Sequence, residues 1–286
     1  MKDTLSSKPM ASNEIVPTAL ESDDLKTERS FLDPKKWEKE GILIESHPIS
    51  SCEKVKEFRG NLIANVSHDL RTPLQSITGY AETMLLKQGH LSAEEQKNYL
   101  HIILESANKL SGMINQFFEY SKLEVSQVEP DCVPFSVEKI IKELQQNYGL
   151  ITTSKQINLV IHAEANLAPV CGDYLMIYRV FQNLIDNALK FTPHNGTVTV
   201  DFSTHSTNQL QVAITDTGTG IPSKELDAIF NKFQMTQETA YDNGRNDGMG
   251  LGLAIVRKIL SLHDAQIFVQ SELGVGTTFT FYLPFH

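Results

Sequence analysis

The sequence predicts an α+β protein, a helical hairpin followed by an α/β sandwich in which helices cover a sheet. Three observations carry that prediction. From Glu53 to Glu124 apolar residues recur in steps of three and four, the period of amphipathic helices. Beyond Pro130 and Pro134 the texture changes to helical segments interleaved with short alternating ones. A length of 286 residues leaves room for about two domains.

Bulk properties narrow the class. With 41% apolar residues the composition is globular. A net charge of -10 argues against nucleic acid as the main partner, since phosphate backbones want a basic surface. It leaves a nucleotide open, because a few local donors and a Mg²⁺ ion offset the charge. Cys52, Cys132 and Cys171 lie far apart with no CxxC pair, so they read as reduced thiols rather than a zinc or disulfide framework. No stretch approaches the ~18 apolar residues of a membrane span, and no apolar signal core opens the chain. The expected location is cytoplasmic, with no direct membrane span.

Residues 1–50 are polar, with too few apolar side chains for a core, and read as a flexible arm with a possible sensory or docking role. The hairpin follows over 51–127. Its first helix runs from Glu53 to about Lys87 on a stripe through Val55, Phe58, Leu62, Val66, Leu70, Leu74, Ile77, Ala81 and Met84. At 100° per residue His68 falls opposite that stripe, Thr72 lies one turn on, and Pro73 removes a helical hydrogen bond nearby. Ser92 with Glu95 forms a capping box that starts the second helix. Its stripe is Leu100, Ile103, Leu104, Ala107, Leu110, Ile114 and Phe117. One hairpin leaves both stripes half exposed, so two copies are expected to close a four-helix bundle as a homodimer. The rival is packing of the hairpin on its own downstream domain.

The domain over 128–286 opens with a helix from Ser136 to Tyr148 and a strand from Ile157 to Ala163. A strongly apolar helix spans Tyr174 to Phe191. Strands are expected at Thr197 to Phe202, Leu210 to Ile214, Gln266 to Val269 and Thr277 to Leu283, with a helix from Leu251 to Leu262. The strands are expected to pair largely antiparallel.

Three clusters here carry chemistry. Asn183, Asn187 and Lys190 share a helix face, where an amide oxygen suits Mg²⁺ and an ammonium suits phosphate. Taken alone, the polar face of a buried helix would look the same. Asp216-Thr217-Gly218-Thr219-Gly220-Ile221-Pro222 follows a strand. Its carboxylate can accept from the exocyclic amine of adenine, and its glycines let backbone approach a flat base. Gly248-Met249-Gly250-Leu251-Gly252 opens a helix whose bare N–H groups suit phosphate. Between the last two, Gln234 to Asp247 is polar and fits a lid over the ligand.

In this order, behind a histidine-bearing hairpin, the clusters resemble the transmitter core of a sensor histidine kinase of two-component signalling. Ser67 to Pro73 resembles the H box, Asn183 to Pro193 the N box, Asp216 to Gly220 the G1 box, Ile229 to Phe233 the F box and Gly248 to Leu253 the G2 box. The resemblance implies a phosphotransfer hairpin and an ATP-binding domain of the Bergerat type, with ATP and Mg²⁺ as cofactors and a response regulator receiver domain as partner. It makes His68 the phosphorylated residue and Asp69 the acid beside it, and sets Thr72 where the family often has a residue needed for dephosphorylation. It puts Asn187 on the metal, Asn183 and Lys190 near phosphate, and Asp216 on adenine. Phe191, Gly218, Gly220, Ile221, Phe233, Gly248, Gly250, Leu251 and Gly252 complete the implied nucleotide site.

Two other classes compete with this one. Gyrase-like and chaperone-like ATPases share the nucleotide fold but typically place a glutamate where this chain has Asn183, and an amide cannot take a proton from water. A non-catalytic scaffold would not need intact nucleotide boxes. No receiver domain fits after Glu124, so the phosphoryl acceptor is expected on a separate protein. The remaining histidines lack both metal spacing and a matching context. His263 has an adjacent acid, Asp264, but no Arg-Thr-Pro continuation.

Overall fold

The computed structural model describes residues 52–125, 128–206, 208–231 and 249–286, and for 52–66, His68 and Val125 the backbone alone. The arm over 1–50, Phe233, Gly248 and the expected lid lie outside the described residues.

Helix α1 (Cys52–Leu86) and helix α2 (Ala93–Val125) form the hairpin. The helix runs through Pro73, whose ring is buried. The capping box is formed: Ser92 Oγ accepts from the Glu95 amide at 3.2 Å, and Glu95 Oε2 accepts from the Ser92 amide at 2.9 Å. This satisfies amides that a helix start leaves without partners. The rings of Tyr80 and Tyr99 meet at 5.2 Å across the two helices.

α2 has two further faces. Met113, Tyr120 and Leu123, spaced seven and three apart, are buried in the core cluster of the downstream domain. Leu100, Leu104 and Phe118 are 56%, 57% and 66% exposed, more than half open to solvent. The rival packing is therefore partly realised, yet much of the predicted stripe remains uncovered within one chain.

After the hairpin come β1 (Val133–Phe135), α3 (Val137–Lys155), β2 (Asn158–Ala163), β3 (Val170–Gly172), α4 (Tyr174–Phe191), β4 (Thr197–Ser206) and β5 (Gln209–Asp216). A short 3-10 turn (Ser223–Glu225), α5 (Gly252–Leu262), β6 (Ile267–Glu272) and β7 (Gly276–Pro284) complete the described chain. The main sheet has the order β2-β4-β5-β7-β6, antiparallel except for the parallel pair of β2 and β4. β1 and β3 form a separate antiparallel ribbon that sequence periodicity does not register, because three residues are too few to alternate.

Alternation assigns the faces of the sheet. Val198, Val200 and Phe202 of β4 and Phe279, Phe281 and Leu283 of β7 are buried. They meet α4, where Phe181 packs 5.6 Å from both Phe202 and Phe281. The opposite face is more polar and carries a Thr215–Thr278 hydroxyl bond of 3.0 Å. α3 runs seven residues beyond its predicted end at Tyr148, through Gly149. Thr152 and Thr153 hydroxyls donate back to carbonyls of the preceding turn, and Thr152 is buried.

Candidate functional site

Helix α4 presents the first cluster. Asp173 caps its start, with Oδ1 accepting from the Met176 amide at 3.2 Å, and Thr192 ends it before Pro193. Asn183 is buried, and its Nδ2 donates to the Arg179 carbonyl one turn back at 2.9 Å. Asn187 and Lys190 are half-buried further along the same face. The Lys190 ammonium lies 5.1 Å from the centre of the Phe191 ring.

Asp216 is the last residue of β5, between Val198 of β4 and Thr277 of β7. It is 7% exposed. Burial pushes its carboxyl up to about 6, and backbone N–H groups of Gly218 and Thr277 only partly offset that. The Gly218 amide donates to Asp216 Oδ1 at 2.8 Å.

Packing within the chain by itself requires the loop glycines. A Cβ on Gly218 would stand 2.6 Å from Asp216 Oδ1 and 2.7 Å from the Phe191 carbonyl. A Cβ on Gly220, where φ is +71°, would stand 2.0 Å from the Glu272 carbonyl. The loop is thus wedged between the end of α4 and the β6–β7 turn. Two bonds fix it there: the Gly274 amide donates to the Thr219 carbonyl at 2.8 Å, and the Ile221 amide to Ser271 Oγ at 2.7 Å.

The third cluster alternates anchors with glycines. Met249 and Leu251 are buried at 1% and 0% exposure, while Gly250 (φ +65°) and Gly252 stay half-buried. Leu251 provides no side-chain cap for α5. Its first-turn N–H groups depend on a partner from elsewhere.

On the hairpin, His68 lies within α1 and its side chain is outside the described residues. Asp69 is half-buried and Thr72 exposed on the same helix. Among the described residues no group of three or more His, Cys, Asp or Glu side chains is gathered to hold a metal ion, and no helix is long and apolar enough to cross a membrane.

Several residues that shape the site were not legible from the sequence. Arg179 holds Glu119 of α2 through a forked pair, with Nη2 donating at 2.8 Å and Nε at 3.0 Å, so the face that bears Asn183 begins at a contact with the hairpin. Its position one turn before Asn183 is the signal that could have marked it. The Tyr148 hydroxyl donates to Asp186 Oδ1 at 2.9 Å and ties α3 to α4. His263 Nε2 accepts from the Asp173 amide at 2.9 Å while Nδ1 donates to the Ile259 carbonyl at 2.8 Å, a purely structural use of a buried histidine.

Together these features define the class, a helical hairpin with a central histidine joined to a one-layer-covered sheet with three nucleotide-type clusters. Residues 58–125 match the His Kinase A (phospho-acceptor) domain. Residues 172–286 match the histidine kinase-, DNA gyrase B- and HSP90-like ATPase family. The chain belongs to the sensor histidine kinases. It is 33% identical over 260 residues to Drug sensory protein A of Synechocystis, covering 87% of this chain and 38% of that protein. It is 34% identical over 239 residues to the autoinducer 2 sensor kinase/phosphatase LuxQ of Vibrio parahaemolyticus, covering 82% of this chain and 27% of that protein. It spans well under half of either relative. A solved structure of full-length ShkA in complex with AMPPNP superposes with a TM-score of 0.58 at 26% identity, covering 79% of this chain and 46% of that one.

Proposed function

We propose that the chain is an ATP-dependent protein-histidine kinase that phosphorylates itself on His68 and passes the group to an aspartate of a separate response regulator. The observation that carries this reading is Asp216. It is a buried carboxylate at a strand end, bonded to a glycine loop that is wedged against the end of α4, in the same chain as Ser67-His68-Asp69. A carboxylate in that setting gains most by accepting hydrogen bonds from a ligand, and adenine's exocyclic amine supplies one.

In the first step an imidazole nitrogen of His68 attacks the γ-phosphorus of ATP. An N–P bond forms, the bond to the β,γ-bridging oxygen breaks, and ADP leaves. The imidazole proton passes to Asp69. Asn187 would hold Mg²⁺, which supplies charge neutralisation at the phosphates. Lys190 would meet phosphate, and the amides of Gly250, Leu251 and Gly252 at the start of α5 would face it. Phe191, Gly218, Gly220 and Ile221 would line the nucleotide, joined by Phe233 and Gly248 from outside the described residues. In the second step the phosphohistidine gives its phosphoryl group to the regulator's carboxylate. Return of that aspartate to its free form, an activity in the name of LuxQ, would fall to Thr72. The working unit would be a homodimer through the hairpin, in the cytoplasm where ATP and regulators reside. A gyrase-like ATPase is disfavoured, because the Asn183 amide is already donated to the Arg179 carbonyl and cannot accept a proton.

The test is labelling with γ-labelled ATP. H68Q should lose all acid-labile, base-stable label while binding ATP as the parent does. Label that persists in H68Q would overturn the assignment.

A further inference from the structure

Asn183 and Gly252 belong to separate sequence clusters, 69 positions apart, yet they meet. Asn183 sits on α4, 7% exposed. Its Nδ2 is committed to the Arg179 carbonyl, which turns Oδ1 toward α5. A Cβ built on Gly252, the first residue of α5, would stand 3.1 Å from that Oδ1, and among the described residues beyond its own helix turn only the Asn183 amide lies within 4 Å of it. Such a contact is tighter than packed side chains normally tolerate. The helix start it touches lacks a cap from its own Leu251. An acceptor placed against a helix N-terminus is favoured by the unpaired N–H groups and the helix dipole.

We propose that Asn183 is a positioning residue that seats the glycine start of α5, and that Gly252 is a glycine in order to admit it. The two form a size-matched pair that sets nucleotide affinity by fixing where the α5 amides point. This rests on the nucleotide site proposed above and changes one role within it. Asn183, expected near phosphate, acts instead through α5, and the divalent ion is left to Asn187.

ATP binding to the full chain, measured by calorimetry in Mg²⁺ and again in EDTA, tests this alongside the thermal melt of each nucleotide-free variant. G252A should weaken ATP binding on the order of tenfold, because the added methyl displaces the Asn183 amide. N183S should weaken it about threefold, and by the same factor in Mg²⁺ and in EDTA. The double variant N183S/G252A should bind ATP more tightly than G252A alone, since the shorter serine leaves room for the methyl. A double variant whose loss is the product of the two single losses would overturn the proposal. So would an N183S loss that appears only in Mg²⁺, which would make Asn183 a metal ligand. Failure of the parent chain itself to bind ATP would instead remove the nucleotide site, and this pair with it.

Discussion

Asp216 is the residue at which chemistry and burial are most directly opposed. Its carboxyl is lifted from 3.8 to about 6 because it is taken out of water. A raised folded-state value means that protonation favours the folded form, so the nucleotide-free protein loses stability as pH rises from about 4 toward 6. Bound adenine would offset that cost by donating to the ionised group. ATP affinity should therefore hold level above pH 7 and fall as pH drops below about 6. D216N should bind ATP more weakly and lose this dependence, which separates it from titration of the ATP phosphates. Calorimetry from pH 5 to 8 on both proteins checks this, and parallel profiles would count against it. The type of this residue was legible in the sequence, as an acid followed by glycines after a strand. That packing alone demands the glycines was not. The carbonyl that bars a side chain from Gly220 belongs to Glu272, and no local pattern announces a neighbour so distant along the chain.

At the scale of the element, helix α4 shows why position matters more than propensity. It was legible end to end, Tyr174 to Phe191, because its apolar stripe is strong and its boundaries carry a capping aspartate and a following proline. Asp173 has further duties. Its Oδ2 accepts from the Asp131 amide at 3.3 Å, and its own amide donates to His263. D173A removes the cap and should lower the free energy of unfolding by about 1–2 kcal/mol, read from the denaturant midpoint. An unchanged midpoint would mean that the cap is redundant. Helix α3 and the β1–β3 ribbon were read less well. Gly149 looks like a stop, but the hydroxyls of Thr152 and Thr153 and the burial of Thr152 carry the helix past it. The ribbon is held by tertiary neighbours such as the Phe135–Tyr174 edge contact at 5.3 Å, which no local pattern contains.

Over the whole molecule, α2 connects everything. One side meets α1, a second is buried in the ATPase-type domain, and a third leaves Leu100 and Leu104 open. If that third side is where a second copy packs, L100S/L104S should shift the chain from dimer to monomer by light scattering while ATP binding stays unchanged. A double variant that remains fully dimeric would place the contact elsewhere. The sequence signalled the exposed stripe. It did not signal that Met113, Tyr120 and Leu123 serve a different neighbour, because all of these residues fall on helical spacing and periodicity does not say which surface a side chain meets. That sharing matters to anyone who recombines parts of this chain with parts of another. A cut in the linker after Val125 would leave the sheet-bearing piece without Tyr120 and Leu123, which belong to its own interior. The graftable module begins inside the second helix, several turns before the apparent seam, and a chimera joined at the linker would close that interior with the side chains of a foreign helix.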